Sequence, residues 1–296
     1  MFNSEVFDYV RTRETILFQM ATFSPHNSVL GFPIFVRDER GDRRIDGKSY
    51  RKIDFRKDPL PTLTDMVRRT DLSRDFYQVD HSAIETVYRH RKLKLDEKRE
   101  KVVTAISDII GYDVSMIGSS LLGCDLKSSD MDILVYGSSA PPIVRQRWPD
   151  ILKLIGANDI SNEDVRRKVD EYLVRFNFDE EVIRRLLHRR NFKFYVDGIE
   201  GSIMFTYDQQ EDIPKHPSKI IVAPIEVTLQ DEVVEDTHSL MMPRMYQCKN
   251  WRVWSFRWLD RGLVVASEKV KIHGHQISDH DIILSKDTHY ILPYIK

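Results

Sequence analysis

Two cysteines in 296 residues, Cys124 and Cys248, lie far apart and neither sits in a Cys-x-x-Cys pair. That scarcity argues against a disulfide framework and a thiolate zinc site, and favours a reducing compartment. Long apolar runs are also missing: no window approaches the ~20 residues of a membrane span. The opening MFNSEVFDYVRTRE carries charge from its fifth residue and has no signal-peptide character. The expectation is a cytoplasmic protein with no membrane contact. Net charge is lacking too. With 45 Lys and Arg against 46 Asp and Glu, the balance of −1 gives no overall field to draw the chain to nucleic acid, so any such contact has to be local. Internal repeats and low-complexity tracts are absent.

What is present is enough apolar sequence, 41 %, for a sizeable core, and a length that favours more than one domain. Residues 1 to 57 read as a β-rich region. The apolar runs Ile16 to Phe23 and Ser28 to Val36 flank a turn at Ser24-Pro-His-Asn27, and a third strand is expected around Ser49 to Phe55. Residues 58 to 100, with Pro59, Pro61 and apolar Leu63, Met66 and Val67 at helical spacing, read as a helical linker. An amphipathic helix follows on Val102, Val103, Ile106, Ile109 and Ile110, with Gly111 as its cap. Strands are expected at Val114 to Ile117 and Met131 to Tyr136. A helical insertion at 141–190 comes next, then a hairpin over 192 to 207 turning at Asp197-Gly198. The segment from 218 to 296 reads as an antiparallel β-barrel-like domain. The fold class expected is α/β (α+β): a core at 58–217 with a mixed sheet, a β-rich N-terminal region and the C-terminal barrel.

The chemistry concentrates in MIGSSLLGCDLKSSDMDILVYG, Met116 to Gly137. A strand delivers Gly118, Ser119 and Ser120 to the expected start of a short helix, where free N–H groups and hydroxyls can cradle phosphate. Ser129 comes ten residues after Ser119 and is followed by Asp130-Met131-Asp132 entering a strand. The period of two puts both carboxylates on one face and Met131 and Ile133 on the other. Two hard oxygen ligands beside a phosphate cradle suit Mg²⁺ or Mn²⁺, which completes its shell with water and phosphate oxygens.

This pattern, hydrophobic-Gly-Ser then Ser-Asp-x-Asp-hydrophobic, resembles the signature of the polymerase-β-like nucleotidyltransferases. The run Gly118 to Gly137 is similar to an archaeal group of predicted nucleotidyltransferases in which a β-region precedes the motif and a β-rich tail follows it. The strands of residues 12 to 53 and the stretch Val234 to Tyr246 also look like that group. The resemblance implies transfer of a nucleoside monophosphate from ATP or another NTP to an acceptor hydroxyl, with release of pyrophosphate. Asp130 and Asp132 would be the catalytic metal ligands, Gly118, Ser119, Ser120 and Ser129 the nucleotide contacts, and an RNA 3′ end one acceptor. The rival reading is a non-catalytic nucleotide- or nucleic-acid-binding module with an incomplete metal site.

A third carboxylate is expected on a neighbouring strand. Chain order offers Glu200, whose neighbour Ser202 is better flanked by apolar residues but cannot ligate as an acid does. Local pattern offers Glu226 in Ile225-Glu-Val227. The basic run from Arg184 to Lys193, with Arg184, Arg185, Arg189 and Arg190, fits phosphate or nucleic-acid backbone. The plainer reading is a solvated helix face paired to Asp179, Glu180 and Glu181. Trp254, Phe256 and Trp258 alternate as a barrel core does, although interleaved Arg also suits base stacking. His273 and His275, two apart, lack a Cys or carboxylate at ligand spacing and do not read as a metal pair.

Overall fold

The computed structural model describes residues 5–23, 28–53, 66–69, 76–92, 95–124, 129–159, 161–175, 179–189, 192–196, 198–208, 214, 224–257, 260–286 and 288–294. The expected turn at Ser24 to Asn27, Pro59, Pro61, Leu63, Arg190, Asp197 and Trp258 lie outside the described residues.

Strands β1 (Tyr9–Arg11), β2 (Thr15–Phe23), β3 (Ser28–Arg37), β4 (Arg43–Ile45), β5 (Lys48–Lys52), β6 (Val67–Arg68), β7 (Tyr77–Asp80) and β8 (Thr86–Tyr88) form one sheet. The apolar runs that predict β2 and β3 make a long antiparallel hairpin, and shorter strands take their conformation by pairing with it or its neighbours. β7 lies along β3, and β8 along β1. Where the sequence predicts a helical linker, Val67, Tyr77 to Asp80 and Thr86 to Tyr88 are therefore strands. Met66 is buried and Val67 exposed, the alternation of a strand rather than a helical stripe.

Helix α1 (Glu97–Ile110) begins where the Asp96 carboxylate accepts the Arg99 N–H at 2.9 Å, and stops at Gly111, whose left-handed φ of 71° costs a glycine little. After it come β9 (Val114–Met116), β10 (Met131–Tyr136), α2 (Ala140–Ile155), β11 (Asn158–Asp159), α3 (Asn162–Arg175), α4 (Glu180–Arg189), β12 (Lys193–Val196) and β13 (Ile199–Thr206). Their five strands run in the order β11-β12-β13-β10-β9, with β10 and β13 parallel. Alternation divides the middle strands cleanly. Met131, Ile133 and Val135 pack with Val102 and Ile106 of α1 and Val144 of α2. Leu134 and Tyr136, on the face of Asp132, pack with Tyr9, Phe18 and Phe35 of the first sheet. The carboxylate face of β10 is thus the one the N-terminal sheet covers.

Strands β14 (Ile225–Glu235), β15 (Arg244–Cys248), β16 (Arg252–Ser255), β17 (Lys269–Gln276) and β18 (Asp281–Leu284) close into a barrel because β17 pairs back onto β14, and β19 (Tyr290–Pro293) extends it along β17. The β16–β18 contact is parallel, so the barrel is not the all-antiparallel one expected. Trp254 and Phe256 are core residues, and the Trp254 indole donates to Asp281 at 2.7 Å. Their exposure to bases is thereby excluded.

The α/β class expected from sequence is overturned. The chain is mostly β, with 42 % strand against 23 % helix, four α-helices among the described residues and three sheets, one a closed five-stranded barrel. The strand–helix–strand order around the motif weighs heavily in a sequence reading. In three dimensions, the strands of the N-terminal sheet and of the barrel, away from the motif, dominate. No helix among the described residues is long and apolar enough to cross a membrane.

Candidate functional site

Asp130 immediately precedes β10 and is exposed, whereas Asp132 is its second residue and is half-buried. The reason lies on both flanks. On one side β13 runs parallel with Asp132 opposite Ser202, whose hydroxyl donates to Asp132 Oδ1 at 2.8 Å. On the other, Gly118 sits at φ 74°, and a Cβ there would meet Asp132 Oδ2 at 2.8 Å. Gly118 is required twice over, by the left-handed backbone and by the carboxylate against it. Burial, and secondarily the charge of Asp130, raise the Asp132 pKa, against which Ser202, Lys193 and Lys52 act. The half-buried carboxylate thus has one hydroxyl donor, Ser202, and two lysines at range.

Gly118→Ala tests that packing. The strained φ costs roughly 1–2 kcal/mol, and the displaced carboxylate adds to it, so the denaturation midpoint should fall by an amount equivalent to about 2–3 kcal/mol in all. An unchanged midpoint would show that the turn relaxes freely.

The phosphate cradle takes a different form from the one expected. Residues 118–123 are turns and do not open a helix, closed by Gly123 N–H to Ser120 O at 3.2 Å and Cys124 N–H to Ser119 O at 3.1 Å. Ser120 is buried, Ser119 and Ser129 are half-buried, and Leu121, Leu122 and Cys124 join the core shared with the N-terminal sheet. The Gly118 backbone is hydrogen-bonded to Tyr9 from β1, and the Arg43 guanidinium donates to the Cys124 carbonyl at 3.3 Å. This cover arrives from residues far upstream, which is why Tyr9, Arg43 and Lys52 have no signal in the local motif.

The third-carboxylate position resolves in register. Asp132 faces Ser202, and Met131 faces Gly201, so continuing the pairing by one residue brings Glu200 to the level of Asp130. Glu200 lies on the correct face, yet it is ion-paired to Lys193 of β12 and accepts from the Tyr195 hydroxyl at 3.4 Å. Among the described residues, no group of three His, Cys, Asp or Glu gathers ligand atoms around Asp130 and Asp132. Glu226 belongs to the barrel strand β14, and its ionic partners His273, His275, Lys286 and His289 are all barrel residues. It is not placed with the two aspartates.

No protein-family model, curated protein or solved structure matches the chain.

In the basic run, Arg184 pairs with Glu180 at 2.7 Å and Arg185 with Glu181 at 2.7 Å, each one turn apart on the exposed face of α4. That is the geometry of a solvated helix face, stabilising by a few tenths of a kcal/mol per pair. Arg189 is the last residue of α4 and its side chain is not described, while Arg190 lies beyond the described residues.

Proposed function

We propose that the chain binds a nucleoside triphosphate with one divalent ion at Asp130 and Asp132 and transfers a nucleoside monophosphate to an acceptor hydroxyl, releasing pyrophosphate. The observation that carries the reading is the pair of carboxylates at alternate residues beside the Gly118 turn, one exposed and one half-buried against Gly118 with its pKa raised by burial. The donor set fits one Mg²⁺ or Mn²⁺, which needs few protein carboxylates. It does not fit a three-carboxylate cage, because Ser202 occupies the place opposite Asp132. When bound, such an ion supplies Lewis-acid stabilisation of charge on the phosphoryl oxygens.

The chain's own residues do the rest by position. Ser202 fixes one oxygen of Asp132 and thereby orients the carboxylate. Lys193 and Lys52, already felt by Asp132, add positive charge where a triphosphate would approach. Ser119, in the turn, and Ser129, just ahead of Asp130, are half-buried and supply hydroxyls on the two sides of the motif. An RNA 3′ end is the first acceptor to test, with a protein side chain or a small molecule as the alternatives.

The experiment is direct. The full chain is incubated with each α-labelled NTP, Mg²⁺ or Mn²⁺ and total cellular RNA, and both pyrophosphate release and label on RNA are measured. Metal-dependent pyrophosphate with at least one NTP is expected. None with all four in both ions would overturn the transferase reading. A second reading, a nucleotide-binding module without turnover, is favoured by Ser202 in the third position and by the Lys193 hold on Glu200. It expects metal-dependent NTP binding by equilibrium dialysis with no pyrophosphate. Under the transferase reading, Ser202→Asp should tighten Mn²⁺ binding by about tenfold or more, since it adds a ligand charge opposite Asp132.

A further inference from the structure

The histidines that sequence spacing leaves without a carboxylate find one across the barrel. β14 and β17 are antiparallel with Glu226 opposite His275 and Thr228 opposite His273, so the period of two brings Glu226, His273 and His275 onto one face. His273 Nε2 lies 3.1 Å from Glu226 Oε1, and His275 Nε2 lies 3.9 Å from Oε2. Each ring has a hydroxyl behind it. His273 Nδ1 is 2.8 Å from Thr228 Oγ1 and His275 Nδ1 is 3.3 Å from Ser285 Oγ, so both rings can donate at Nδ1 and present Nε2 lone pairs towards the carboxylate. A hydroxyl or carbonyl behind a ligating imidazole is the usual way its tautomer is fixed.

A third imidazole points into the same place. His289 is fully buried, its Nε2 has no hydrogen-bond partner, and that atom lies 3.7 Å from Glu226 Oε1. Glu226, His273 and His289 bring one donor atom each within 4.8 Å of one another; His275 stands outside that group, so its Nε2, 3.9 Å from Glu226 Oε2, has to draw closer to share an ion with His273. The two ends of the His289 ring differ, however. Its Nδ1 accepts the N–H groups of Ser285 at 3.0 Å and Lys286 at 3.3 Å, which leaves its proton on Nε2. His289 is therefore a donor aimed at the carboxylate, suited to orienting Glu226 rather than to ligating.

We propose that Glu226, His273 and His275 form a binding site for a divalent transition-metal ion on the barrel, with His289 positioning the carboxylate. Two imidazoles and one carboxylate suit Zn²⁺ and its neighbours in the first row, not the all-oxygen preference of Mg²⁺. Solvent reaches the site, because Glu226 is 42 % exposed, His273 21 % and His275 13 %. In the ion's absence the half-exposed Lys286 supplies the cation, its Nζ 3.0 Å from Glu226 Oε2. A flexible lysine can leave when a metal arrives. The site shares no residue with Asp130 and Asp132, and its fate is independent of the nucleotide reading.

The test uses the full chain stripped with a chelator and titrated with Zn²⁺ against a chromogenic competitor, with Co²⁺ as a spectroscopic probe. One tight site per chain is expected, with a visible Co²⁺ spectrum of imidazole coordination. Glu226→Gln, His273→Ala and His275→Ala should each weaken Zn²⁺ binding by about 100-fold or more, and His289→Ala by about 10- to 100-fold. Lys286→Met removes the competing cation and should tighten binding. Asp130→Asn and the exposed His280→Ala should leave it unchanged. Folding of each variant is followed by thermal unfolding, and Zn²⁺ should raise the midpoint of the wild type and of Lys286→Met but not of Glu226→Gln. Wild-type affinity retained in Glu226→Gln, no binding in the wild type, or weaker binding in Lys286→Met would each overturn the site.

Discussion

Asp132→Asn is expected to remove divalent-dependent NTP turnover, by at least ~100-fold given that loss of even an outer-shell partner costs 10- to 100-fold, while leaving the protein as stable as before or more so. The two halves of this result have one cause. Asp132 is half-buried between Ser202 and Gly118, and burial raises its pKa, so the folded state disfavours its charged form. Asparagine has the same volume, can still accept from Ser202, and carries no charge to desolvate. A residue kept for packing would lose stability on substitution, whereas one kept for a cation loses function and gains stability. The sign follows from linkage. Because the folded-state pKa lies above the unfolded one, the contribution of Asp132 is fully present below the unfolded pKa and declines as pH rises through the folded value. The stability advantage of Asp132→Asn should accordingly grow from acid towards neutral pH. Asp130→Asn, at an exposed position, should lose turnover with no such pH-dependent gain. Chemical denaturation across pH, alongside pyrophosphate release, reads both. Wild-type turnover in Asp132→Asn would discard the metal-site reading, and a loss of stability would show that the carboxylate is structural.

Local physics made the motif legible. Alternation alone assigns Asp130 and Asp132 to the face opposite Met131 and Ile133, and the structure packs the latter two against α1 and α2. Gly111 as the stop of α1 follows from the end of an apolar period and a residue tolerant of positive φ. The remainder was illegible because it depends on pairing across long separations. Tyr77 to Asp80 is a strand through β3, and Thr86 to Tyr88 through β1, neither of which an amphipathic count over a window can see. The same holds for the two sites. Lys193 reaches Glu200 only after β12 and β13 pair, and Ser202 stands opposite Asp132 only in the parallel register of β10 and β13. Glu226 is at no ligand spacing from His273 and His275 along the chain, yet one antiparallel register sets it beside both. Sequence spacing reads ligands carried on one element and misses those assembled between two.

Asp260→Ala should destabilise the barrel by about 3–5 kcal/mol, the cost of leaving a buried charge without its partner. Asp260 and Arg257 are both buried, and the guanidinium meets the carboxylate in two-pronged fashion, Nε to Oδ2 and Nη2 to Oδ1, each at 2.7 Å. Ser255 Oγ donates to the same carboxylate at 2.6 Å, which satisfies a further lone pair. The rest of the guanidinium is spent on backbone, donating to the carbonyls of Lys286 and, at 2.8 Å, His289. The pair therefore anchors the loop that carries His289 to the end of β16. Removing the carboxylate leaves two carbonyl acceptors but no counter-charge, and dipoles alone do not offset a buried guanidinium. The double variant Arg257→Met with Asp260→Ala discards the charge altogether and should recover part of the loss, giving a midpoint above that of Asp260→Ala although one more native residue has gone. Chemical denaturation of the four members of this cycle measures the coupling. Strict additivity of the two single losses would mean that the pair is not the anchor. Zn²⁺ titration of the double variant reads the loop separately: with the carbonyls of Lys286 and His289 released, affinity at Glu226 should fall towards that of His289→Ala while His273 and His275, held on β17, remain in place.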